Sequence, residues 1–232
     1  MYIDKAGLIE APAAIKAHFG RVLLAFLPFN GILSSLINMK IIGIILFVTL
    51  IVGVSCRNPV IEDIQPTTEE LNIISETNRV RTNPRGYALE LSRELGANRA
   101  TWHQSTIDQY EVAIARLNTT EARHPLSFDH GLFLAARDHA EDMIENDFFS
   151  HTGSDGSSVS DRIQRQGSYS GLRGENIAAY SRWDTGASMV LAWVLSPGHL
   201  SNILSRNYTL IGPAHVFGDR WIGVQKFAER KN

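Results

Sequence analysis

Apolar residues recur every three to four positions along much of the chain after residue 67, and the strongest repeat covers residues 130–146. Positions at this spacing share one face of a helix, so the run predicts an amphipathic helix with His139 on its apolar face, as a core histidine. Thr67 and Glu70 have the spacing of a capping box, which marks the start of an earlier helix. The same reasoning predicts helices over residues 67–83, 87–95, 109–117, 159–166 and 185–195.

The pattern changes near the end of the chain. Residues 210–217 and 221–227 are apolar and rich in β-formers, and Gly218-Asp219 between them is typical of a tight hairpin turn. Helices that precede a hairpin predict an α+β fold in which the helices pack on an antiparallel sheet.

The first quarter of the chain has a different character. Residues 41–54 carry no charge, Lys40 precedes them, and Cys56, the single cysteine, follows. Fourteen apolar residues are fewer than the roughly 20 that cross a bilayer, so the stretch predicts an export signal. It resembles a bacterial lipoprotein signal over 39–56, which implies lipidation of Cys56 and a membrane-anchored protein of the cell envelope.

This interpretation leaves two questions open. Residues 1–38 are interpreted as an upstream extension, and a start codon assigned too early is one explanation for them. One long interrupted hydrophobic anchor over 22–54 is the alternative to a cleaved signal. Residues 57–68, with two prolines and no periodicity, predict a tether ahead of the folded domain.

Composition excludes several classes of protein. The 232 residues are 44% hydrophobic, which suits a globular domain, and a formal charge of −2 gives no reason to expect nucleic acid as a partner. A single cysteine excludes a disulfide framework and a multi-cysteine zinc site. Beyond residue 56 the only lysines are Lys226 and Lys231.

Three short polar clusters, over 148–152, 174–178 and 196–204, lie at the edges of apolar elements. They contain His151, Glu175 and His199, at intervals of 24 residues. Two imidazoles and one carboxylate on converging segments make a plausible three-ligand metal site with an open fourth position. An interval of 24 residues is not a local metal-ligand motif. The alternative to metal binding is that each of these side chains only stabilises its own loop by hydrogen bonds.

The order of the motifs is more specific than any one of them. They are HAEDM at 139–143, FFSH at 148–151, DRI at 161–163, GENIA at 174–178, Trp193, SPGH at 196–199, and a last strand with Trp221, Gln225 and Phe227. From residue 71 to 227 this series resembles the CAP superfamily of cysteine-rich secretory, antigen 5 and pathogenesis-related 1 proteins, in its bacterial SCP-like form. The resemblance implies a CAP domain over 69–232, a three-layer α–β–α sandwich with a central antiparallel sheet and a large cleft.

In that family two His and two Glu face the cleft and can hold a divalent metal, often zinc. His151, Glu175 and His199 match three of these positions, while residues 195–197 offer no acid for the fourth. Asn176 is expected beside them in the cleft as a clamp between segments. The resemblance therefore implies an exported, membrane-tethered protein whose cleft binds a lipid, glycan or peptide ligand, with or without zinc. A metal-dependent hydrolase with Glu175 as base and a purely interactive surface protein are the alternatives.

Overall fold

The computed structural model describes residues 64–181 and 185–230. The predicted upstream extension, the signal over 39–56 with Cys56, and most of the tether lie outside these residues. The elements are, in chain order, α1 (Thr68–Thr82), α2 (Pro84–Asn98), α3 (Gln104–Asn118), β1 (Ser127–Phe128), α4 (His130–Glu145), α5 (Val159–Gln166), β2 (Ser170–Tyr180), α6 (Gly186–Val194), α7 (Pro197–Ile203), β3 (Leu210–Phe217) and β4 (Trp221–Glu229).

Local signals account for where the helices begin. The capping box of α1 is confirmed: the Glu70 backbone N–H donates to Thr67 Oγ1 at 3.3 Å, and the Thr67 N–H donates to a carboxylate oxygen of Glu70 at 2.7 Å. The Asp129 side chain caps α4 by accepting from the Leu132 N–H at 2.9 Å. The periodic apolar face of α4 is buried as predicted, with His139 fully buried on it.

The sheet has the strand order β1-β3-β4-β2. β4 lies antiparallel to both of its neighbours, and the hairpin between β3 and β4 is confirmed. The two-residue strand β1 runs parallel to β3, so the sheet is antiparallel except at this edge. The chain enters α4 directly from β1, and the N–H groups of Ser127 and Asp129 donate to carbonyl oxygens along β3.

Successive side chains of β4 point to opposite faces of the sheet, and helices cover both faces. Ile222, Val224 and Ala228 pack against apolar residues of α4 and α5. Phe227 points the other way, into a core built from α1, α2, α3, α6 and α7. This is the three-layer arrangement that the resemblance implies, and the α+β fold class is confirmed.

One close approach sets the position of α4. A Cβ atom added to Gly212 would lie 2.1 Å from backbone atoms of Leu132 and Phe133. The helix therefore lies directly on the backbone of β3, where only glycine leaves room for it.

Two segments differ from the sequence predictions. Glu175 and Asn176 lie within β2, an 11-residue edge strand, rather than in a loop at the edge of an apolar element. Residues 197–203, expected to follow the end of a helix, form the short helix α7, which begins at Pro197 because proline is well tolerated in a first helical turn.

Candidate functional site

The centre of the site is a pair of opposite charges on neighbouring strands. Glu175 of β2 lies directly opposite Lys226 of β4 in the antiparallel register. Both share the sheet face that carries Ile177 and Val224, which pack against α4. The Lys226 side chain is fully buried, and its Nζ donates to Glu175 Oε2.

Three further side chains converge on the Glu175 carboxylate. His151 Nδ1 lies 2.7 Å from Oε1, and Arg162 Nη2 lies 3.3 Å from Oε2 and 3.5 Å from Oε1. His139 Nε2 lies 3.9 Å from Oε1. Burial alone would raise the pKa of Glu175, but the hydrogen bond from His151 and the charge of Lys226 outweigh it and lower the pKa to about 2.

The same surroundings also lower the pKa of Lys226. Burial lowers the pKa of its ammonium to about 8, although the Glu175 charge acts to raise it. A buried ammonium needs a close counter-ion because its desolvation is costly, and Glu175 supplies that charge. The two side chains therefore stabilise each other's ionised form.

His151 is the outermost member of the cluster. Its side chain is 53% exposed, whereas that of Glu175 is 1% exposed. A carboxylate at this pKa only accepts hydrogen bonds, so Nδ1 of His151 carries a hydrogen, and in the neutral form of the ring Nε2 is the remaining acceptor. Arg162 also holds the backbone of this loop, donating from Nη2 to the His151 carbonyl oxygen at 2.8 Å.

His139 lies beneath this loop on α4. Its Nε2 is 2.9 Å from the Ser150 carbonyl oxygen, which can only accept, so Nε2 carries the hydrogen. Burial lowers the pKa of His139 to about 4, and the ring is neutral at pH 7. The periodicity placed His139 in the core, but nothing in the sequence indicated its closeness to Glu175.

Asn176 points to the opposite face of β2 and joins three segments. Its Nδ2 donates to Gln225 Oε1 at 3.0 Å and to the His199 carbonyl oxygen at 3.2 Å. Its Oδ1 accepts from Asn202 Nδ2 at 2.8 Å. Gln225 in turn donates to Thr77 Oγ1 at 2.7 Å, so this chain of hydrogen bonds connects α1, β4, β2 and α7.

His199 is half-buried on α7, which packs against the same edge strand. Burial, followed by the charge of nearby His151, lowers the pKa of His199 below its ordinary value. Of the three candidates, His151 and Glu175 are in direct contact. His199 belongs to the neighbouring helix and interacts electrostatically with His151.

Two members of the cluster, Arg162 and Lys226, were absent from the candidates chosen on sequence. A signal for Lys226 was available: positions 222, 224, 226 and 228 share one face of a strand, and all but 226 are apolar. A lysine on such a face requires an acid nearby. The identity of that acid depends on strand register.

The side chains present do not suit a resident divalent metal. In residues 64–181 and 185–230, no group of three or more His, Cys, Asp or Glu side chains is arranged to hold a metal ion. Glu175 is already paired with both Lys226 and Arg162, and the sequence has Ser196 where the fourth, acidic ligand is expected. A metal at Glu175 would have to approach two fixed cations.

Known proteins of similar sequence include two from Bacillus subtilis (strain 168). The uncharacterized protein YkwD is 32% identical over 123 residues, covering 51% of this chain and 47% of YkwD. The uncharacterized membrane protein YlbC is 30% identical over 147 residues, covering 62% of this chain and 41% of YlbC. The chain thus spans less than half the length of either relative.

The solved structures that match this chain include an extracellular SCP-domain protein from Bacillus anthracis. The match has 26% identity and a TM-score of 0.42 and covers 55% of this chain and 41% of that one. An outer surface protein from Borrelia burgdorferi has 24% identity and a TM-score of 0.42, covering 54% of this chain and 90% of that one.

The sequence pattern of the CAP, or cysteine-rich secretory protein, family matches residues 74–227, about two thirds of the chain. The chain belongs to the CAP family.

Proposed function

We propose that this CAP-domain chain is exported, is tethered to the cell envelope, and binds a glycan through the cleft residues His151 and His199. The observation that carries the proposal is the hydrogen bond of 2.7 Å between His151 Nδ1 and Glu175 Oε1. It holds an exposed imidazole in one orientation, and in the neutral form of the ring Nε2 is then the acceptor suited to a hydroxyl group. Pre-orientation of this kind lowers the entropic cost of binding.

The distribution of charge favours an uncharged polar ligand. Glu175, Lys226 and Arg162 are all buried beneath His151, so none of these charged groups is offered to a ligand at the surface. The lowered pKa of His199 keeps its ring neutral at pH 7. The groups offered to a ligand are therefore imidazole nitrogens, which exchange hydrogen bonds with hydroxyls or amides.

An exposed aromatic side chain lies close by in the same loop. Phe149, two residues before His151, is 47% exposed. A sugar ring has an apolar face as well as hydroxyl groups on its rim, so it matches a surface that combines an aromatic ring with hydrogen-bond acceptors. A lipid tail would need only the aromatic ring and not the hydrogen-bond acceptors, and an extended peptide would not need the aromatic ring.

Export and tethering rest on the amino-terminal sequence. The uncharged run over 41–54, followed by Cys56, supports a lipoprotein-type signal. The relative YlbC is named a membrane protein, which agrees with an envelope location. Within the described part of this chain, no helix has the length and apolar character needed to cross a bilayer.

Binding is tested with a defined probe. A β-1,4-linked N-acetylglucosamine oligomer is titrated into the full-length chain in detergent, and heat is measured by calorimetry. We expect saturable binding that weakens at least tenfold in His151→Ala and in His199→Ala. His124→Ala, a change of an exposed histidine between α3 and β1, should leave the affinity unchanged. Absence of saturable binding, or equal weakening in all three variants, would refute the glycan proposal, and a vesicle or peptide titration would then test the other ligand classes.

The hydrogen-bonded pair of His151 and Glu175 also favours hydrolysis as a second candidate function. A histidine whose Nδ1–H is held by a buried carboxylate is the usual arrangement of a general base. That role falls to His151, because a carboxylate with a pKa of about 2 is too weak a base. Turnover of the oligomer at a rate that falls at least a hundredfold in His151→Ala would establish this alternative.

A further inference from the structure

The Glu175 carboxylate receives hydrogen bonds from three side chains on three different segments. His151 donates at Oε1, Lys226 donates at Oε2, and Arg162 spans both oxygens at 3.5 and 3.3 Å. Two carboxylate oxygens offer about four acceptor positions, and these are directed at the three donors. A metal ion could contact Glu175 only by displacing one of them.

Two of the three donors are cationic side chains held inside the protein. Lys226 is fully buried and Arg162 is 6% exposed, so neither side chain can swing into solvent to make room. Arg162 is additionally held through Nη1, which donates to the Ser157 carbonyl oxygen at 2.7 Å. A divalent ion at Glu175 would experience repulsion from both cations in a poorly screened environment.

The backbone register fixes Lys226 in this position. Glu175 and Lys226 are directly opposed residues of β2 and β4, and Gly212 of β3 lies on the other side of Lys226. Helix α4 lies on Gly212, so the ammonium is enclosed between the helix and the sheet. The sheet itself thus supplies a fixed cation to the carboxylate that orients His151.

We infer that Lys226 is a positioning residue which, through Glu175, sets the orientation of His151 and takes the place that a divalent metal would otherwise occupy. Glu175 then orients His151 from its buried side and does not bind a metal ion in this chain. The inference rests on the proposed role of His151 as the group that meets the ligand. It makes the site independent of metal.

The first test uses zinc alone. The full-length chain carrying Cys56→Ser, which removes the free thiol, is stripped with chelator and titrated with zinc by calorimetry. We expect Glu175→Gln to change the zinc affinity less than twofold. A tenfold or larger loss in Glu175→Gln would show that Glu175 is a ligand and would overturn the inference. Failure of the glycan titration leaves this result unaffected, so the two proposals can fail separately.

The second test detects positioning directly. Nitrogen-15 chemical shifts of the His151 ring at fixed pH report which nitrogen carries the hydrogen. We expect Nδ1–H in the wild type, a mixture of both tautomers in Lys226→Met, and recovery of Nδ1–H in Lys226→Arg. If Lys226→Met does not fold, Lys226→Gln, which removes the charge but keeps a hydrogen-bond donor, is measured in its place. An unchanged tautomer in whichever variant folds would overturn the positioning role.

Discussion

Asn176 and Gln225 lie opposite each other on β2 and β4 and share a hydrogen bond of 3.0 Å inside the protein. Both side chains are fully buried. Their amides continue the hydrogen-bonded chain to Thr77 on one side and Asn202 on the other. This polar chain holds α1 and α7 against the sheet, and so it places His199.

Removing one member of this chain should be costly. Asn176→Ala would leave the buried Gln225 Oε1 without its donor, at roughly 1–3 kcal/mol, and would remove one of the two hydrogen bonds of Asn202 Nδ2, which keeps the Glu175 carbonyl oxygen. We expect the free energy of unfolding, measured in urea, to fall by about 2–4 kcal/mol. Asn72→Ala, which removes an exposed side chain of α1, should change it by less than about 0.5 kcal/mol. Equal effects of the two changes would contradict a structural role for Asn176.

The contact between α4 and β3 can be tested at Gly212. An added methyl group would meet backbone atoms at 2.1 Å, and a backbone cannot move aside as a side-chain end can. We expect Gly212→Ala to destabilise the fold by about 3 kcal/mol, at the upper end of overpacking effects.

Gly96 in α2 is the matched control for this change. Its added Cβ would meet nothing within 4 Å, so Gly96→Ala should stabilise the protein by about 0.5–1 kcal/mol through helix propensity. Thermal unfolding of the two variants beside the wild type measures both effects. A stabilising Gly212→Ala would show that α4 does not lie on β3 as described.

Acid should destabilise the protein in two successive windows. The pKa of His139 is lowered from 6.5 to about 4 in the folded state, so the unfolded chain binds the extra proton first as the pH falls. The contribution of His139 to stability is therefore full above pH 6.5 and is lost as the pH falls to about 4, by on the order of 3 kcal/mol. Glu175, with its pKa lowered to about 2, adds a second loss between about pH 4.5 and 2.

His139→Gln isolates the first window, because glutamine can still donate to the Ser150 carbonyl oxygen but does not titrate. Urea unfolding of the wild type and the variant is compared at intervals between pH 7 and 4. We expect the wild type to lose stability across this range and the variant to lose much less. Parallel curves for the two proteins would show that His139 does not control this window.

The envelope tether depends on a single thiol. Cells expressing the chain are labelled with radioactive palmitate, and we expect incorporation into the wild type but not into Cys56→Ser. The variant should also move from the membrane fraction to the soluble fraction after cell lysis. A label that persists in Cys56→Ser would mean that Cys56 is not the lipid attachment site, and an unlabelled wild type would favour the uncleaved anchor over 22–54.

Local patterns along the chain were sufficient for most of the helices and for the final hairpin. The capping box at Thr67, the repeat around His139 and the Gly218-Asp219 turn all depend on interactions between residues a few positions apart. Such interactions leave a periodic signature that can be read without knowing the fold. The ordered motifs were likewise sufficient for the family, since the match over 74–227 confirms it.

The chemistry of the site could not be obtained in this way. Glu175 reads as a free acid in a polar run, and Lys226 reads as one charge in an apolar strand 51 positions later. Strand register makes them an ion pair, and a shift of one residue would turn either side chain to the opposite face of the sheet. Register and the docking of α4 and α5 arise from long-range packing, which leaves no local trace, and they make Glu175 a buried partner of two cations.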